Sequence, residues 1–461
     1  MLLQVVKSML KRVIRMLSTK NQYENTGSIK TISVGIIGLG YVGLPLAVHF
    51  AERGFCVTGI DTDQRKVDQL NQGYSYLPSI ENEDISEMRS EDKFVATTRF
   101  NRVKELDAII LCLPTPVTSE QIPDLQLLKS AVQKLAPHLK KGTLIVLEST
   151  VYPGATEEII EHTLLTYGFK AGRDYHLCYS PERVDPGNHM FNLSNTPKVL
   201  AGKTPACMGF GRELYQHLTE VVEVSSIPVA EMSKLLENTY RSVNIGFVNE
   251  MAQIAEKMSI DIWEVIDAAA TKPYGFQKFT PGPGVGGHCI PVDPHYLNWK
   301  AGQFGISSRF IELADQTNRH MPEYVMEKIE DMTTAAGKKK ASVLLLGAAY
   351  KPESDDIRDA PGVHIFDRLQ QSEVDVCYHD PFVKKVSTSK GIYTSWEWDD
   401  TELESFDLIC LVTAHEYYKD KQIPERNVQI LDTQGFFDCH PNITRLGGPG
   451  KNHIPEAAST I

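Results

Sequence analysis

The chain has 461 residues, room for about three domains of ordinary size, each able to bury a full core. Its 42% hydrophobic and 23% charged residues, with 32 Gly and 25 Pro, exclude the disordered, collagen-like and membrane-spanning classes. With 47 Lys and Arg against 59 Asp and Glu, a formal charge of −12, it is no general binder of nucleic-acid backbone, and only a local basic pocket for a phosphate stays open.

In chain order, residues 1–28 read as a basic amphipathic extension. Lys7, Lys11, Arg12, Arg15 and Lys20 meet no acid before residue 21, and Leu2, Leu3, Val6, Met9, Leu10, Val13 and Leu17 recur at helical spacing. The body beyond these cations holds 42 bases against 59 acids, or −17. A secretory signal would need an uninterrupted apolar stretch and a small-residue cleavage site, and neither is present. We expect a dispensable or upstream-start extension, since Met9 and Met16 offer later starts, with contact to an anionic membrane surface or a targeting peptide as the alternatives.

The segment from Thr31 to Asp61 begins with a β-branched run, turns at Gly38, continues as a helix and returns as a strand. Its Gly38-Leu39-Gly40-Tyr41-Val42-Gly43 has GxGxxG spacing and is followed by Asp61 at the end of the second strand. Glycines let such a turn approach a pyrophosphate at a helix N-terminus, and the carboxylate can bond the ribose hydroxyls, which disfavours a 2′-phosphate. NAD is therefore the expected cofactor, with Lys66 as a further cation nearby; a packing-only glycine turn is the alternative. Apolar runs at 108–114 and 143–149 continue the alternation, which argues a parallel sheet covered by helices.

From Pro228 to about Glu330 the pattern is helical, with one long helix over 230–258. Residues 279–297 hold four glycines and four prolines and read as a loop whose backbone comes close to something. Cys289 sits in it beside His288, with Asp293 four residues on; a thiol there is a candidate nucleophile, or else a buried Cys beside a structural His. A second α/β unit follows, with strand runs at 337–351, 372–381, 406–413 and 428–433. The eight cysteines form no CxxC and no zinc-ligand spacing, so no metal site is expected. Reduced thiols in the cytosol are the default, and all but Cys289 are expected mostly as small core residues.

Together these residues closely resemble the nucleotide-sugar 6-dehydrogenase family, which acts on UDP-glucose, UDP-N-acetylglucosamine or UDP-N-acetylmannosamine. The resemblance rests on GLGYVG, LPTP (113–116), ESTVYPG (148–154), YSPERVDPG (179–187), EMSKLLENT (231–239), GVGGHCIPVDP (284–294) and YKPESDDIRD (350–359). It implies an α/β protein with an NAD-binding Rossmann domain (30–220), a central long-helix domain with the catalytic loop and a homodimer interface (225–330), and a Rossmann-like UDP-binding domain (335–445).

It also implies a cysteine chemistry. Cys289 would trap the C6 aldehyde as a thiohemiacetal, oxidised to a thioester that water cleaves, with two NAD consumed per sugar. Lys234 and Asn238, on one helical face, would bind water or a developing oxyanion. Asp293 and Thr150 match members of the same water network, and Glu182 matches the proposed base for thioester hydrolysis. Lys351 matches a substrate-phosphate contact and Arg358 an NAD contact. Thr115 joins the cofactor residues, and Arg183, Arg241 and Gly284 the substrate residues.

The form GHCIPVDPHYL looks like the branch acting on N-acetylated UDP-hexosamines, closest to the UDP-N-acetylglucosamine members, with surface polysaccharide as the destination. Gln434 stands where the family often has an arginine reaching the nucleotide. Two other readings are a two-electron β-hydroxyacid dehydrogenase, which needs neither Cys289 nor the second α/β unit, and a non-catalytic nucleotide-binding scaffold.

Overall fold

The computed structural model describes residues 32–449 except 78, 185–189, 336–339 and 373. The extension expected over 1–28 lies outside the described residues. Eight strands form the first sheet: β1 (Ser33–Ile37), β2 (Cys56–Ile60), β3 (Phe94–Thr97), β4 (Ala108–Leu111), β5 (Leu144–Leu147), β6 (His176–Tyr179), β7 (Lys198–Gly202) and β8 (Val221–Glu223). Their order is β3-β2-β1-β4-β5-β6-β7-β8, so the direction of winding reverses between β1 and β4. A doubly wound sheet opens a crevice for ligands at that switch point. Successive side chains alternate between two helix-covered faces: Val34 and Ile36 pack with Leu46 and Phe50, whereas Ile37 packs with Leu111 and Leu147 on the other side.

One pairing departs from the expected parallel sheet. β7 runs antiparallel to β6, with Cys178 opposite Gly202 and Tyr179 opposite Ala201. Among the described residues between β6 and β7 there is no crossover helix, and a parallel neighbour would need one. The first residue of β7, Lys198, is thereby carried to the same end of the sheet as the last residues of β5 and β6.

The helix that follows the nucleotide turn is α1 (Gly43–Glu52), and the central region holds α2 (Ile227–Lys257), α3 (Ile262–Ala270), α4 (Asp293–Gly302) and α5 (Arg309–Ala335). The long helix was expected over 230–258 and starts three residues earlier, because Pro228 sits in the first turn, where its missing N–H costs nothing. At 31 residues it spans about 46 Å. A Cβ on Gly246 would stand 3.0 Å from the Ala314 Cα, so this glycine sets how closely α2 and α5 approach. The expected loop over 279–297 ends at Val292; residues 293–297 are helical, since Pro294 near the start of α4 favours a helix instead of breaking it.

The second sheet has order β10-β9-β13-β14-β15, all parallel, from β9 (Ser342–Leu346), β10 (Asp375–His379), β13 (Leu408–Leu411), β14 (Gln429–Asp432) and β15 (Ile443–Arg445). A hairpin of β11 (Lys385–Thr388) and β12 (Gly391–Thr394) stands apart. Helix α6 (Pro361–Leu369) covers one face through Ile365, Phe366 and Leu369. Cys112, Cys178, Cys207 and Cys410 are buried as expected, but Cys56 and Cys439 are exposed: Cys56 is the first residue of β2 and Cys439 lies in the loop between β14 and β15. Among the described residues no helix is long and apolar enough to cross a membrane.

Candidate active site

The turn after β1 is shaped by three glycines with three different constraints. Gly38 has φ 95°, and a Cβ there would lie 2.4 Å from the Cys112 carbonyl oxygen. At Gly43 a Cβ would lie 1.8 Å from the Gly38 oxygen, so α1 can begin this close to the strand only without a side chain. Gly40 is the reverse case: its Cβ would meet nothing within 4 Å, which leaves bare backbone facing open space at a helix N-terminus.

Asp61 is aimed by two backbone donors, Leu39 N–H to Oδ2 (2.9 Å) and Asp63 N–H to Oδ1 (3.0 Å). Lys66 stands 3.7 Å from Asp61 Oδ2 and 5.5 Å from the Tyr76 ring centroid, so its charge is partnered with the carboxylate. This cradle and its flanking carboxylate fit a dinucleotide with free ribose hydroxyls. Val42 caps α1, and Tyr41 reaches across to the second α/β unit: its hydroxyl donates to Asp355 Oδ1 (3.4 Å), and the Arg358 guanidinium lies 5.2 Å from its ring centroid.

The loops after β4 and β5 are tied to the central helices. Thr115 Oγ1 donates to the Thr150 carbonyl (2.8 Å), and the buried Tyr296 hydroxyl of α4 donates to the Thr115 carbonyl (2.9 Å). Glu231, fully buried at the start of α2, accepts from Gly154 N–H (2.5 Å), Thr156 N–H (2.9 Å) and Thr156 Oγ1 (2.6 Å). Those bonds dock the ESTVYPG loop on the helix that carries Lys234 and Asn238. The motif EMSKLLENT contains Glu231, yet a glutamate at a helix start reads from sequence as an ordinary first-turn acid.

Lys234 and Asn238 are 9% and 4% exposed, so neither side chain faces solvent from the helix. Asn238 Nδ2 donates to Asp293 Oδ2 at 2.5 Å. Asp293 is 2% exposed, and burial raises its carboxyl to about 6 against the Lys234 charge and the Asn238 hydrogen bond. The Cys289 carbonyl accepts from Val292 N–H (3.1 Å) and Asp293 N–H (2.8 Å), a tight turn that leads into α4.

Cys289 keeps an exposed surface although protein groups crowd its thiol. Burial and the Asp293 charge push its thiol up to about 11, with Lys234, Arg358 and Arg241 pulling the other way. At neutral pH this side chain is therefore a thiol.

The loop glycines come close to protein. A Cβ on Gly286 would lie 2.7 Å from the Asp359 oxygen, on Gly287 2.8 Å from the Tyr350 ring, and on Gly284 (φ 123°) 3.1 Å from the Asn318 oxygen. Gly287 N–H also donates to the Arg358 carbonyl (2.8 Å), which stitches the Cys289 loop to the 350–360 loop. The same loop carries Lys351, half-buried with its ammonium 5.7 Å from the Tyr350 ring. Arg358 itself is held bidentate by Asp356 (Nε to Oδ1, 2.9 Å).

Arg183 is engaged by Glu237 (2.9 Å) and the Pro197 carbonyl (2.8 Å), whereas Arg241 is exposed on α2. Gln434 donates to the Val412 carbonyl (2.8 Å) and lies beside Gly282. Glu182 completes the group: its Oε1 accepts from Arg183 N–H (2.7 Å) and Val184 N–H (2.6 Å), and its Oε2 lies 3.3 Å from Lys198 Nζ. Burial opposes the charge, but Lys198, the two backbone donors and Lys234 together hold this carboxyl below its usual value. Lys198 and Glu148 were missed in the sequence, because their meeting depends on the antiparallel β7.

A dinucleotide turn on a doubly wound sheet, with a second α/β unit joined to it through a central helical region, fits an NAD-dependent oxidoreductase. The chain matches three models of one family: the NAD binding domain of the UDP-glucose/GDP-mannose dehydrogenases over residues 32–219, their central domain over 228–320, and their UDP binding domain over 344–444. It belongs to the UDP-glucose/GDP-mannose dehydrogenase family.

A UDP-N-acetyl-D-mannosamine dehydrogenase of Salmonella typhimurium is 34% identical over 428 residues, 89% of this chain and 100% of that one. A UDP-N-acetyl-D-glucosamine 6-dehydrogenase of Pseudomonas aeruginosa is 35% identical over 400 residues, 85% of this chain and 92% of that one. The solved UDP-D-ManNAc dehydrogenase of Pyrococcus horikoshii superposes with a TM-score of 0.81 at 28% identity, covering 90% of this chain and 99% of that one.

Proposed function

We propose that the protein oxidises the C6 hydroxyl of a UDP-N-acetylhexosamine, UDP-N-acetylglucosamine in the first place, to the uronate, supplying surface polysaccharide synthesis. The observation that carries this reading is the convergence of Cys289 with Lys234, Asn238 and Asp293 on one buried polar spot. NAD, when bound, accepts one hydride in each of two successive oxidations.

In this reading Lys234 and Asn238 hold the C6 oxygen, and the lysine charge favours the alkoxide as the alcohol proton leaves. The Cys289 sulfur then bonds to the aldehyde carbon while the thiol proton passes to the aldehyde oxygen. Loss of the second hydride and of that hydroxyl proton leaves a thioester. Water adds to it, one of its protons goes to Glu182, the C–S bond breaks, and the sulfur regains a proton. Glu182 suits the task because its Oε2 keeps an acceptor position beside the Lys198 bond.

The GHCIPVDPHYL form and the relatives' substrates support an N-acetylated sugar, with UDP-N-acetylmannosamine or UDP-glucose as the alternatives. Lys351 and Arg358 are the cations assigned to the nucleotide ends, with the chain taken as three working parts at 30–220, 225–330 and 335–445. The enzyme is read as a homodimer through α2, on the exposed stripe of Val229, Met232, Leu236, Tyr240, Phe247, Ile254 and Met258.

The test is a panel of UDP-glucose and the N-acetylated glucosamine, mannosamine and galactosamine forms with purified enzyme and NAD. UDP-N-acetylglucosamine is expected to be turned over fastest with two NADH per sugar, and Cys289→Ser to lower kcat by about 10²-fold or more. One NADH per sugar rejects the thioester route.

A further inference from the structure

Behind Glu182 lies a charge cluster that the proposed reaction does not use. Lys198 is 6% exposed, with Nζ 2.8 Å from Glu148 Oε2 and 3.3 Å from Glu182 Oε2. Glu148 is 1% exposed and its other oxygen accepts the buried Tyr215 hydroxyl. The three groups come from three neighbouring strands: Glu148 follows β5, Glu182 follows β6, and Lys198 opens β7. Extending the observed β6–β7 register puts residue 182 opposite residue 198.

An ammonium needed only to hold the fold would be satisfied by Glu148 alone. Here one buried cation serves two carboxylates, and the second belongs to the residue assigned to thioester hydrolysis. From the geometry we infer that Lys198, anchored by Glu148, is a positioning residue that holds the Glu182 carboxylate ionised and aimed at the Cys289 thioester. The inference rests on the reading of Glu182 as the base.

The charge balance explains the two-carboxylate design. Glu148 neutralises Lys198, so Glu182 is an anion beside a nearly neutral pair, charged at working pH yet still able to take a proton. Lys198 facing Glu182 alone would make it a weaker base, whereas Glu148 without Lys198 would repel the charge. Among the described residues the other charged or titratable groups bearing on the cluster are Lys234 from α2, Cys112 after β4, Tyr179 at the end of β6, Tyr215 from the helix Pro205–Tyr215 and His49 from α1. The Arg183–Glu237 pair flanks it on the α2 side.

The test follows decay of the acyl group on Cys289 in single turnovers, by mass spectrometry from pH 5 to 9, with NAD and the panel sugar that the wild type oxidises. Wild type is expected to show no fall in rate toward acid. Lys198→Met is expected to slow decay at least tenfold at pH 5.5 and to bring a new acid limb into range, about one pH unit or more above the wild-type limb. Lys198→Arg should restore the flat profile. Glu148→Gln should stay flat with a plateau lowered severalfold, because Glu182 is then a weaker base.

Should Lys198→Met prove too unstable, the double variant Lys198→Met, Glu148→Gln buries one carboxylate fewer and should show the same acid limb. A flat profile in every Lys198 variant, with Glu182→Gln slow, assigns Lys198 to the fold alone and overturns the inference. Full decay in Glu182→Gln overturns the base reading beneath it instead.

Discussion

At the scale of single residues the site works by placing charge where water has been removed. Asp293 and Cys289 illustrate it: each is raised by burial, and each is partly relieved by Lys234. A thiol raised to about 11 is a slow nucleophile at neutral pH. In the free enzyme, alkylation of Cys289 by iodoacetamide should therefore rise with pH through pH 9 without a plateau. Asp293→Asn removes a negative charge that raises the thiol, so alkylation at pH 8 should be several times faster, and Lys234→Met should slow it. Rates from mass spectrometry decide this, and a plateau by pH 8 in the wild type contradicts the picture. Glycines separate by the same kind of local test: Gly38 and Gly43 are required by neighbouring backbone, while Gly40 is the position left open toward a ligand.

At the scale of elements, α2 presents two different faces. Glu231, Lys234, Asn238 and Asn249 are buried on one side at spacings of three, four and eleven residues. The exposed Val229, Met232, Leu236, Tyr240, Phe247, Ile254 and Met258 fall within about 80° around the axis at 100° per residue. A soluble monomer seldom leaves so long a stripe uncovered, and a helix pair from two copies would cover it. Replacing Leu236 and Phe247 with arginine removes about 1.5–3 kcal/mol of burial each and sets four like charges across a twofold contact. The double variant should elute near 51.6 kDa by light scattering, and the wild type near twice that. A wild type that is already monomeric removes the dimer reading. β7 is the second element with a consequence beyond packing, since only its antiparallel direction delivers Lys198 to the end of the sheet where Glu182 lies.

At the scale of the whole molecule, the two α/β units meet over the central helices through a few specific contacts. Tyr41 with Asp355 and Arg358 joins the nucleotide turn to the 350–360 loop, and Gly287 with Arg358 joins that loop to the Cys289 loop. The described contacts of this junction lie between residues 41 and 358, and a variant lacking residues 1–28 is expected to keep kcat/KM within about twofold of the full chain. A tenfold loss would give that basic segment a part in the reaction. Much of this organisation was readable in the sequence. Glycine spacing followed by Asp61 located the dinucleotide turn, because a tight turn and a ribose contact need those residue types at that distance. Helical periodicity located α2, and the motifs located Cys289, Lys234, Asn238 and Asp293. What the sequence alone determined was therefore local: the elements, the turn chemistry and the candidate reactive side chains, all encoded by neighbours within a few positions. Only the tertiary structure decided which charges share a buried volume, because the direction of β7, the docking of Glu231 on the Gly154–Thr156 loop and the partners of Lys198 depend on contacts between residues dozens of positions apart, where burial sets their energy.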